Sequence, residues 1–482
     1  MTLDPGPVRR DVAAEVRGAA RRQAQRWTGA GPALVGVFLV MLFMGAFIIL
    51  DYTFDQDPHR IIKVALGLGV LVGIVSQPRI GLLVLPVVSP FLAWIPPTPI
   101  PGLNTLNVLL FSVFGSFALS QVLARRPFLK IGRLGPVIIA LLTLAGLSII
   151  RGAAAPTGYG YNTYNAFLIL VRSCTTFATY FIVLAMSNGE KDRRHITWAV
   201  LIGLLLESLV TIKFGRTGAG SRAVGSIGQS NELGAFLALL GVLAAALAVG
   251  ARSWYAKLVA AGIFAASGFG IMLSLSRGSM LALVGGLALV TWRSSRWAFV
   301  LMVLLLVSSP LWVPDYVVDR INSSKVESDS DDGYGVDKAS EARLMTWQAI
   351  GNVVEHHPFD GVGFTGLQFV LPDVGAAMGL TDIKDSAHNT YLRMLSEMGV
   401  FGLLLFLATL AKLFHLAHVA ANKAKRRFDR AIAIGTCGSV VSMAISCAFG
   451  DRFWSPVVVS SLWVMAALVE DSLDHPAPEP VR

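Results

Sequence analysis

The sequence predicts an all-α, polytopic integral membrane protein with about 12–14 transmembrane helices and one large polar loop. The 482-residue chain is 54% hydrophobic and only 15% charged, and its mean hydropathy is +0.63. Soluble proteins carry about 25% charged residues, so the charges here are too few to cover a soluble surface of this size. A series of long apolar runs completes the pattern, and together these observations exclude a soluble multidomain protein.

A transmembrane helix needs about 20 largely apolar residues, and fourteen runs of the sequence approach that length. Two of them, 61–77 and 278–292, are short, so the number of spans can fall to twelve. The candidate spans are 32–50, 61–77, 80–96, 106–124, 134–150, 166–187, 195–213, 231–250, 256–275, 278–292, 296–313, 389–411, 431–450 and 455–470.

The distribution of basic residues orients these spans. With a cytoplasmic N-terminus, most of the 40 Lys and Arg residues fall in short inside loops, as the positive-inside rule expects. This alternation favours fourteen helices with both termini inside. The predicted segments are a basic cytoplasmic N-terminus (1–30), helices 1–11 (31–313), a large outer loop (314–388), helices 12–14 (389–470) and a cytoplasmic tail (471–482).

The same topology explains the net charge of +10. Basic inside loops orient the chain and contact anionic membrane lipids, so no nucleic-acid partner is expected. The three cysteines, Cys174, Cys437 and Cys447, lie inside apolar runs, which argues against a disulfide framework.

Arginines on the outer side are the exceptions to this pattern. Arg172 lies within a span, where a charge usually faces a partner or a water-filled cavity. The glycine-rich loop 214–230 carries Arg216 and Arg222, and Arg277 lies in the turn SLSRGS. Arginine binds phosphate through paired hydrogen bonds, and glycine lets backbone N–H groups approach an anion. We therefore predict an outer site for an anionic ligand; the alternative is loop charges that extend to lipid headgroups.

The large outer loop contains two further features. Asp329-Ser-Asp331 resembles a metal–nucleotide motif of sugar-nucleotide transferases, but a solvated acidic loop is the simpler interpretation. The segment before Pro358 predicts an amphipathic helix, which we expect to rest on the membrane surface. Its apolar positions are Leu344, Trp347, Ile350, Val353 and Val354.

The loop ends in KDSAHNTYLRMLSEMGVFGLLLF. Asp385 or Ser386 is expected to cap a helix whose first turn contains His388. Histidine suits proton transfer near neutral pH, and the positive end of the helix dipole would keep it neutral. Glu397 points about half a turn away from His388 and follows Arg393 by four residues, so a local ion pair is its simpler interpretation. From these residues alone, a catalytic and a structural role for His388 both stay open.

Four motifs together resemble the O-antigen ligase/O-antigen polymerase superfamily. They are SLSRGS (274–279), Arg343 followed by Trp347, HPFDGVGF (357–364) and HNTYLRMLSEMGVFG (388–402). The upstream loop RAVGSIGQSNELGAFLAL (222–239) is also similar to that family's outer loop. The resemblance covers roughly residues 160–450, in the family's order and spacing.

The resemblance implies a membrane glycosyltransferase that acts on the periplasmic face of the bacterial inner membrane. Its glycan donor would be an oligosaccharide on undecaprenyl diphosphate. The acceptor hydroxyl would belong to a lipid A-core sugar, another lipid-linked glycan or a protein. His388 corresponds to the family's catalytic histidine, and Arg222 and Arg277, then Arg216 and Arg172, to its diphosphate-binding arginines. The supporting residues would be Asn389, Arg343, Trp347 and Glu397.

No cofactor or metal is expected, because no His, Asp and Glu cluster has ligand spacing in a plausible site. The span count exceeds the twelve typical of the ligases, which favours a surface-polysaccharide or O-antigen polymerase. An O-antigen ligase and a protein O-oligosaccharyltransferase remain alternatives. From other classes, a transporter or flippase and a cell-wall polymerase with an acidic catalytic residue stay open, although the polar residues here concentrate in one outer loop rather than at midplane.

Overall fold

The computed structural model describes most of the chain from Pro78 onward. The described residues are 69, 72–74, 77–94, 105–123, 125, 127, 129–154, 160–215, 221–322, 325–326, 335–336, 338–380 and 383–476.

Contacts among these residues divide the chain into two units. The smaller unit contains most of α1 (Pro78–Val88) and all of α2 (Thr105–Leu123). These two helices pack closely at Gly81, where an added Cβ would lie 2.3 Å from the Val113 side chain. The larger unit contains Pro86–Asn104 and everything from Ile131 onward.

The larger unit is built from helices, as the fold class predicts. After a 3-10 turn at Ser89–Trp94, its helices are α3 (Gly135–Ala154), α4 (Thr163–Met186), α5 (Glu190–Phe214), α6 (Ser230–Gly250), α7 (Trp254–Ser274), α8 (Arg277–Ser294), α9 (Arg296–Val307), α10 (Asp315–Asn322), α11 (Lys338–His356), α12 (Leu367–Ala377), α13 (Thr390–Lys423), α14 (Arg427–Cys447) and α15 (Pro456–Asp474). A 3-10 turn at Ser309–Leu311 and a two-residue antiparallel pair, β1 (Lys325–Val326) with β2 (Gly335–Val336), complete the described elements.

Eight helices of the described chain are long and apolar enough to cross a membrane: α3, α4, α5, α6, α7, α13, α14 and α15. The protein is therefore an all-α, multi-pass membrane protein, which confirms the predicted fold class. Each predicted span from 80–96 onward coincides with a helix, although α1 and α9 are short. Span 32–50 lies outside the described residues and 61–77 almost entirely so. The total of fourteen stays a prediction.

The core lies where α6, α14 and α15 are enclosed by the other helices. In an apolar 18-residue stretch of each of these helices, 83%, 78% and 78% of the residues are buried, respectively. Small residues bring these helices together: a Cβ on Gly286 of α8 would lie 2.8 Å from the Gly438 carbonyl of α14. Packing through small residues is typical of helices in membranes, because lipid supplies little hydrophobic drive for helix association.

Helix α13 is interrupted at Gly399, whose φ of 68° and ψ of −170° are not helical. The segment 358–363 docks into this break. Val362 N–H donates to the Ser396 carbonyl at 2.9 Å, and Val400 N–H donates to the Pro358 carbonyl at 2.8 Å. A Cβ on Gly399 would lie 2.0 Å from the Phe359 carbonyl oxygen, so only glycine fits. Two of the motifs singled out in the sequence are thus one structural unit.

The predicted amphipathic helix is α11, and most of its apolar side is covered by protein, although Leu344 is 48% exposed. Ile350 and Ala349 are buried against Leu367 and Leu371 of α12, with Trp347 packed beside them. The expectation that this helix rests on the membrane surface stays a prediction. The apolar periodicity reports burial, and it cannot distinguish a protein neighbour from lipid.

Candidate functional site

A cavity of about 410 Å³ lies where the α7–α8 turn, the start of α6, the middle of α11 and the α14–α15 turn meet. Its lining residues are Arg222, Asn231, Leu275, Ser276, Arg277, Gly278, Ser279, Arg343, Leu344, Trp347, Ser446, Ala448, Phe449 and Arg452. The four arginines come from four separate segments of the chain. No Asp or Glu is among the described residues that line the cavity. The lining is therefore strongly cationic and suited to an anion such as a diphosphate.

The turn SLSRGS joins α7 to α8 at the cavity wall. Leu275 ends α7 in the left-handed conformation, with φ of 51°, and α8 starts two residues later at Arg277. Gly278 packs against Phe449, whose Cβ would lie 2.7 Å from any Cβ at that position. The close approach of the α14–α15 turn to this glycine closes one side of the cavity.

Arg222 is held by hydrogen bonds along the edge of the cavity. Its Nε donates to the Ser274 carbonyl at 3.0 Å, and its Nη2 donates to Asn231 Oδ1 at 2.6 Å. The neighbouring Ala223 N–H donates to the Leu273 carbonyl at 3.0 Å. These bonds fix the loop before α6 to the start of α6 and the end of α7, so the guanidinium is placed before any ligand arrives.

His388 lies immediately before α13, not in its first turn. Asn389 is the N-cap, and its Oδ1 accepts from the N–H groups of Tyr391 and Leu392 at 2.9 and 3.3 Å. The expected cap at Asp385 or Ser386 is therefore wrong. Asparagine serves equally well as a cap, and its position one residue after the histidine leaves His388 outside the helix, with a left-handed φ of 46°.

Three contacts hold the loop that carries His388. Trp347 Nε1 of α11 donates to the Ala387 carbonyl at 2.9 Å, and the Ser386 hydroxyl donates to Asp451 of the α14–α15 turn. The His388 N–H donates to Ser386 Oγ at 3.3 Å. A left-handed conformation is costly for a residue with a Cβ, and these contacts maintain it.

The pKa of His388 is lowered, first by burial and then by the positive charge of Arg343, with Arg452 and Lys384 acting in the same direction and Asp451 opposing them. The sequence predicted a neutral histidine from the helix dipole alone, whereas the structure adds burial and the positive charge of Arg343 as causes. The imidazole is therefore neutral near pH 7 and can accept a proton. His388 is not among the lining residues, but the hydrogen bond from Trp347 to the Ala387 carbonyl ties the preceding residue to the cavity wall.

The α14–α15 turn contributes Arg452, a cavity-lining residue that the motifs did not assign. Arg452 is 6% exposed, and its Nη1 lies 3.4 Å from Gln229 Oε1 and 3.7 Å from Glu232 Oε1 at the start of α6. Burial lowers its pKa, while Glu232 opposes that effect. The signal available in the sequence was an adjacent pair of opposite charges, Asp451 and Arg452, between two apolar runs.

The remaining candidate residues fall elsewhere. Arg172 is exposed on α4 and does not line the cavity, and Arg216 lies outside the described residues. Glu397 is 3% exposed and pairs with Arg393 at 3.2 Å, as expected from their spacing. Its carbonyl accepts from the Ser148 hydroxyl at 2.9 Å. Glu397 therefore helps to hold the segment 358–363 against α13 and is not among the residues that line the arginine cavity. The acidic stretch around Asp329 lies outside the described residues.

Comparison with known proteins found a match to one protein family. The chain matches no curated protein. Residues 261–407 match the family model described as O-antigen ligase. The matched segment runs from α7 to α13 and contains Arg277, Arg343 and His388, whereas Arg222 and Arg452 lie outside it. This match supports the resemblance of the segment to the O-antigen ligase/O-antigen polymerase superfamily.

Proposed function

We propose that this protein is a glycosyltransferase that moves a glycan from undecaprenyl diphosphate to an acceptor hydroxyl. The observation that supports it is a cavity with four arginines and no lining carboxylate among the described residues, beside a histidine whose pKa is lowered. A diphosphate leaving group needs positive charge where negative charge develops. Arg222 and Arg277, with Arg343 and Arg452, would supply that charge.

The proposed reaction is a direct displacement. The acceptor oxygen bonds to C1 of the donor sugar, and the bond from C1 to the phosphate oxygen breaks, which inverts the anomeric centre. The acceptor proton passes to an imidazole nitrogen of His388, and the lipid diphosphate leaves with the bonding electron pair. General-base assistance of this kind contributes about 10²- to 10⁴-fold. The imidazolium then returns its proton to solvent.

The acceptor that we propose is the end of another lipid-linked glycan, so that the enzyme is a polymerase for O-antigen, exopolysaccharide or another surface polysaccharide. The larger number of predicted spans supports this choice. The site would lie on the periplasmic side of the inner membrane, because the charge pattern puts the α7–α8 turn and the loop before α13 on the outer side.

One reconstitution experiment tests the reaction and its acceptor together. Purified protein in liposomes receives undecaprenyl-diphosphate-linked oligosaccharide without any other acceptor. A ladder of longer lipid-linked products is expected. Transfer only after lipid A-core is added would identify a ligase. Transfer only to an added peptide would identify an oligosaccharyltransferase. Either result would overturn the polymerase assignment. No glycan transfer to any of the three would overturn the proposed function.

A further inference from the structure

A second and larger cavity, of about 910 Å³, lies at the opposite end of the helices. We call it the basal pocket; its lining residues are Glu190, Arg194, His195, Trp198, Ala251, Arg252, Ser253, Ala256, Lys425, Arg426, Arg427 and Phe428. It is formed by the start of α5, the α6–α7 turn and the α13–α14 turn. The helices α6, α7 and α14 reach the arginine cavity with their other ends, about 30 Å away at 1.5 Å per residue.

The basal pocket carries a large excess of positive charge. Five Lys and Arg side chains line it, and Glu190 is the one carboxylate among its described lining residues. Glu190 lies 3.2 Å from Arg426 and 3.9 Å from Arg194, so its single charge is shared by two arginines. The pocket therefore retains positive charge that an anion can balance.

A buried ion network holds the walls of this pocket in place. Arg193, with 0% side-chain exposure, donates from Nε and Nη2 to both carboxylate oxygens of Asp429 at 3.0 Å, and from Nη1 to Asp471 at 2.7 Å. These contacts join the first turns of α5 and α14 to the end of α15. Arg194 also lies 5.4 Å from the centre of the Phe428 ring. The basic side chains thus project from a rigid base.

Aromatic residues place the pocket at the level of lipid headgroups. Trp254 and Tyr255, the first residues of α7, are 58% and 65% exposed, and their ring centres lie 3.7 Å apart. Exposed Trp and Tyr at the end of a membrane helix are typical of the membrane–water interface. Trp198 and Phe428 add apolar surface inside the pocket itself. A soluble anion would make no use of these apolar groups, whereas a phospholipid offers a phosphate and a glycerol-acyl region together.

We infer that the basal pocket binds the phosphate headgroup of an anionic phospholipid from the leaflet at that end of the protein. Basic pockets between transmembrane helices are suited to such headgroups. Arg252 and Arg427, which project from two different turns, bind the phosphate, and the surfaces of Trp198 and Phe428 contact the lipid near its glycerol. This inference concerns binding at the far end of the helices and does not rest on the proposed glycan transfer.

The test measures lipid binding to the full chain. Delipidated protein in detergent is titrated with phosphatidylglycerol, cardiolipin or phosphatidylcholine, and bound lipid is counted by native mass spectrometry. The double variant Arg252→Gln/Arg427→Gln is compared with Lys412→Gln/Lys423→Gln. The control pair removes two exposed charges at the same end, beside a different pocket formed with Arg133 and His415.

We expect the anionic lipids to bind in preference to phosphatidylcholine. At roughly fivefold for each basic residue near an anionic surface, the Arg252/Arg427 variant should lose about 25-fold in affinity, and the control pair should retain wild-type binding. Equal binding of phosphatidylcholine, or equal losses in the two variants, would overturn the inference. Displacement of the lipid by an equal concentration of inorganic pyrophosphate would identify a soluble phosphate as the ligand and would also overturn it.

Discussion

The two ends of the helix bundle both concentrate arginine, but Arg193 at one end and the four cavity arginines at the other lie in different environments. Arg193 is fully buried between Asp429 and Asp471, and each of its hydrogen bonds ends on a residue of this chain. Around the cavity at the other end, Arg222, Arg277 and the other two arginines line a space without a described carboxylate in its wall. An arginine balanced by carboxylates fixes helices to one another. Four arginines around one cavity, with no carboxylate among its described lining residues, favour a ligand that brings its own negative charge.

Removing the base at the cavity end gives the largest expected effect. His388→Asn should lower the rate of glycan transfer by about 10²- to 10⁴-fold, because no neutral imidazole remains to accept the proton. Asparagine tolerates the left-handed conformation of this position, so the fold is retained. The measurements are transfer rate in liposomes and affinity for the glycan donor, which should remain at the wild-type level. A wild-type rate in this variant would refute the role of His388.

Removing Arg193, which pairs with two buried carboxylates at the other end of the bundle, should lower the stability of the fold and leave the transfer rate unchanged. Arg193→Gln leaves Asp429 and Asp471 buried with no guanidinium between them, which costs about 3–5 kcal/mol of unfolding free energy. Thermal unfolding in detergent measures the loss. Transfer activity per folded molecule should stay close to wild type.

Arg194, the neighbour of Arg193, provides the matched control. Arg194 is 56% exposed and lies 3.9 Å from Glu190, and an exposed pair contributes only about 0–1 kcal/mol. Arg194→Gln should therefore unfold close to the wild-type temperature. Equal destabilisation of the two variants would show that the buried pairing of Arg193 contributes no more to stability than the exposed pair of Arg194.

A conservative change at the cavity separates charge from geometry. Arg277→Lys keeps the positive charge but loses the planar pair of donors, and charge-assisted hydrogen bonds contribute about 1.5–3 kcal/mol. Affinity for the lipid-diphosphate donor should fall about 10- to 100-fold, as measured by binding to the purified protein. Arg172→Lys, on the exposed side of α4, should bind like wild type. Unchanged affinity of the Arg277→Lys variant for the lipid-diphosphate donor would show that Arg277 does not belong to the diphosphate site.

The smallest expected effect is a shift in pH dependence. Arg343 lowers the pKa of His388 and Asp451 raises it, so Arg343→Gln should raise that pKa and Asp451→Asn should lower it further. Since the neutral imidazole is the active form, the acid limb of the pH–rate profile should move to higher pH in the first variant and to lower pH in the second. Rate profiles from pH 4 to 8 distinguish these directions; shifts of the same sign would contradict the electrostatic assignment.

Local patterns predicted much of this architecture. Apolar runs of about 20 residues identified the helices from 80 onward, since a membrane span must satisfy its backbone internally and therefore becomes a helix. The i to i+4 spacing of Arg393 and Glu397 predicted their pairing, because such residues are neighbours on any helix. The prediction for Asp385 and Ser386 failed, since several residues in that stretch can cap a helix and only the three-dimensional contacts select one.

The sequence by itself determined the membrane class, the helices, and the motifs that carry Arg277, Arg343 and His388. Only the tertiary structure decided which charges share a cavity. It brought Arg452 to that cavity from beyond the motifs and left Arg172 outside it. The physical reason is that composition and periodicity are properties of neighbouring residues, whereas a site is formed by helix ends far apart in the chain, whose packing at small residues such as Gly278 and Gly399 sets their distances.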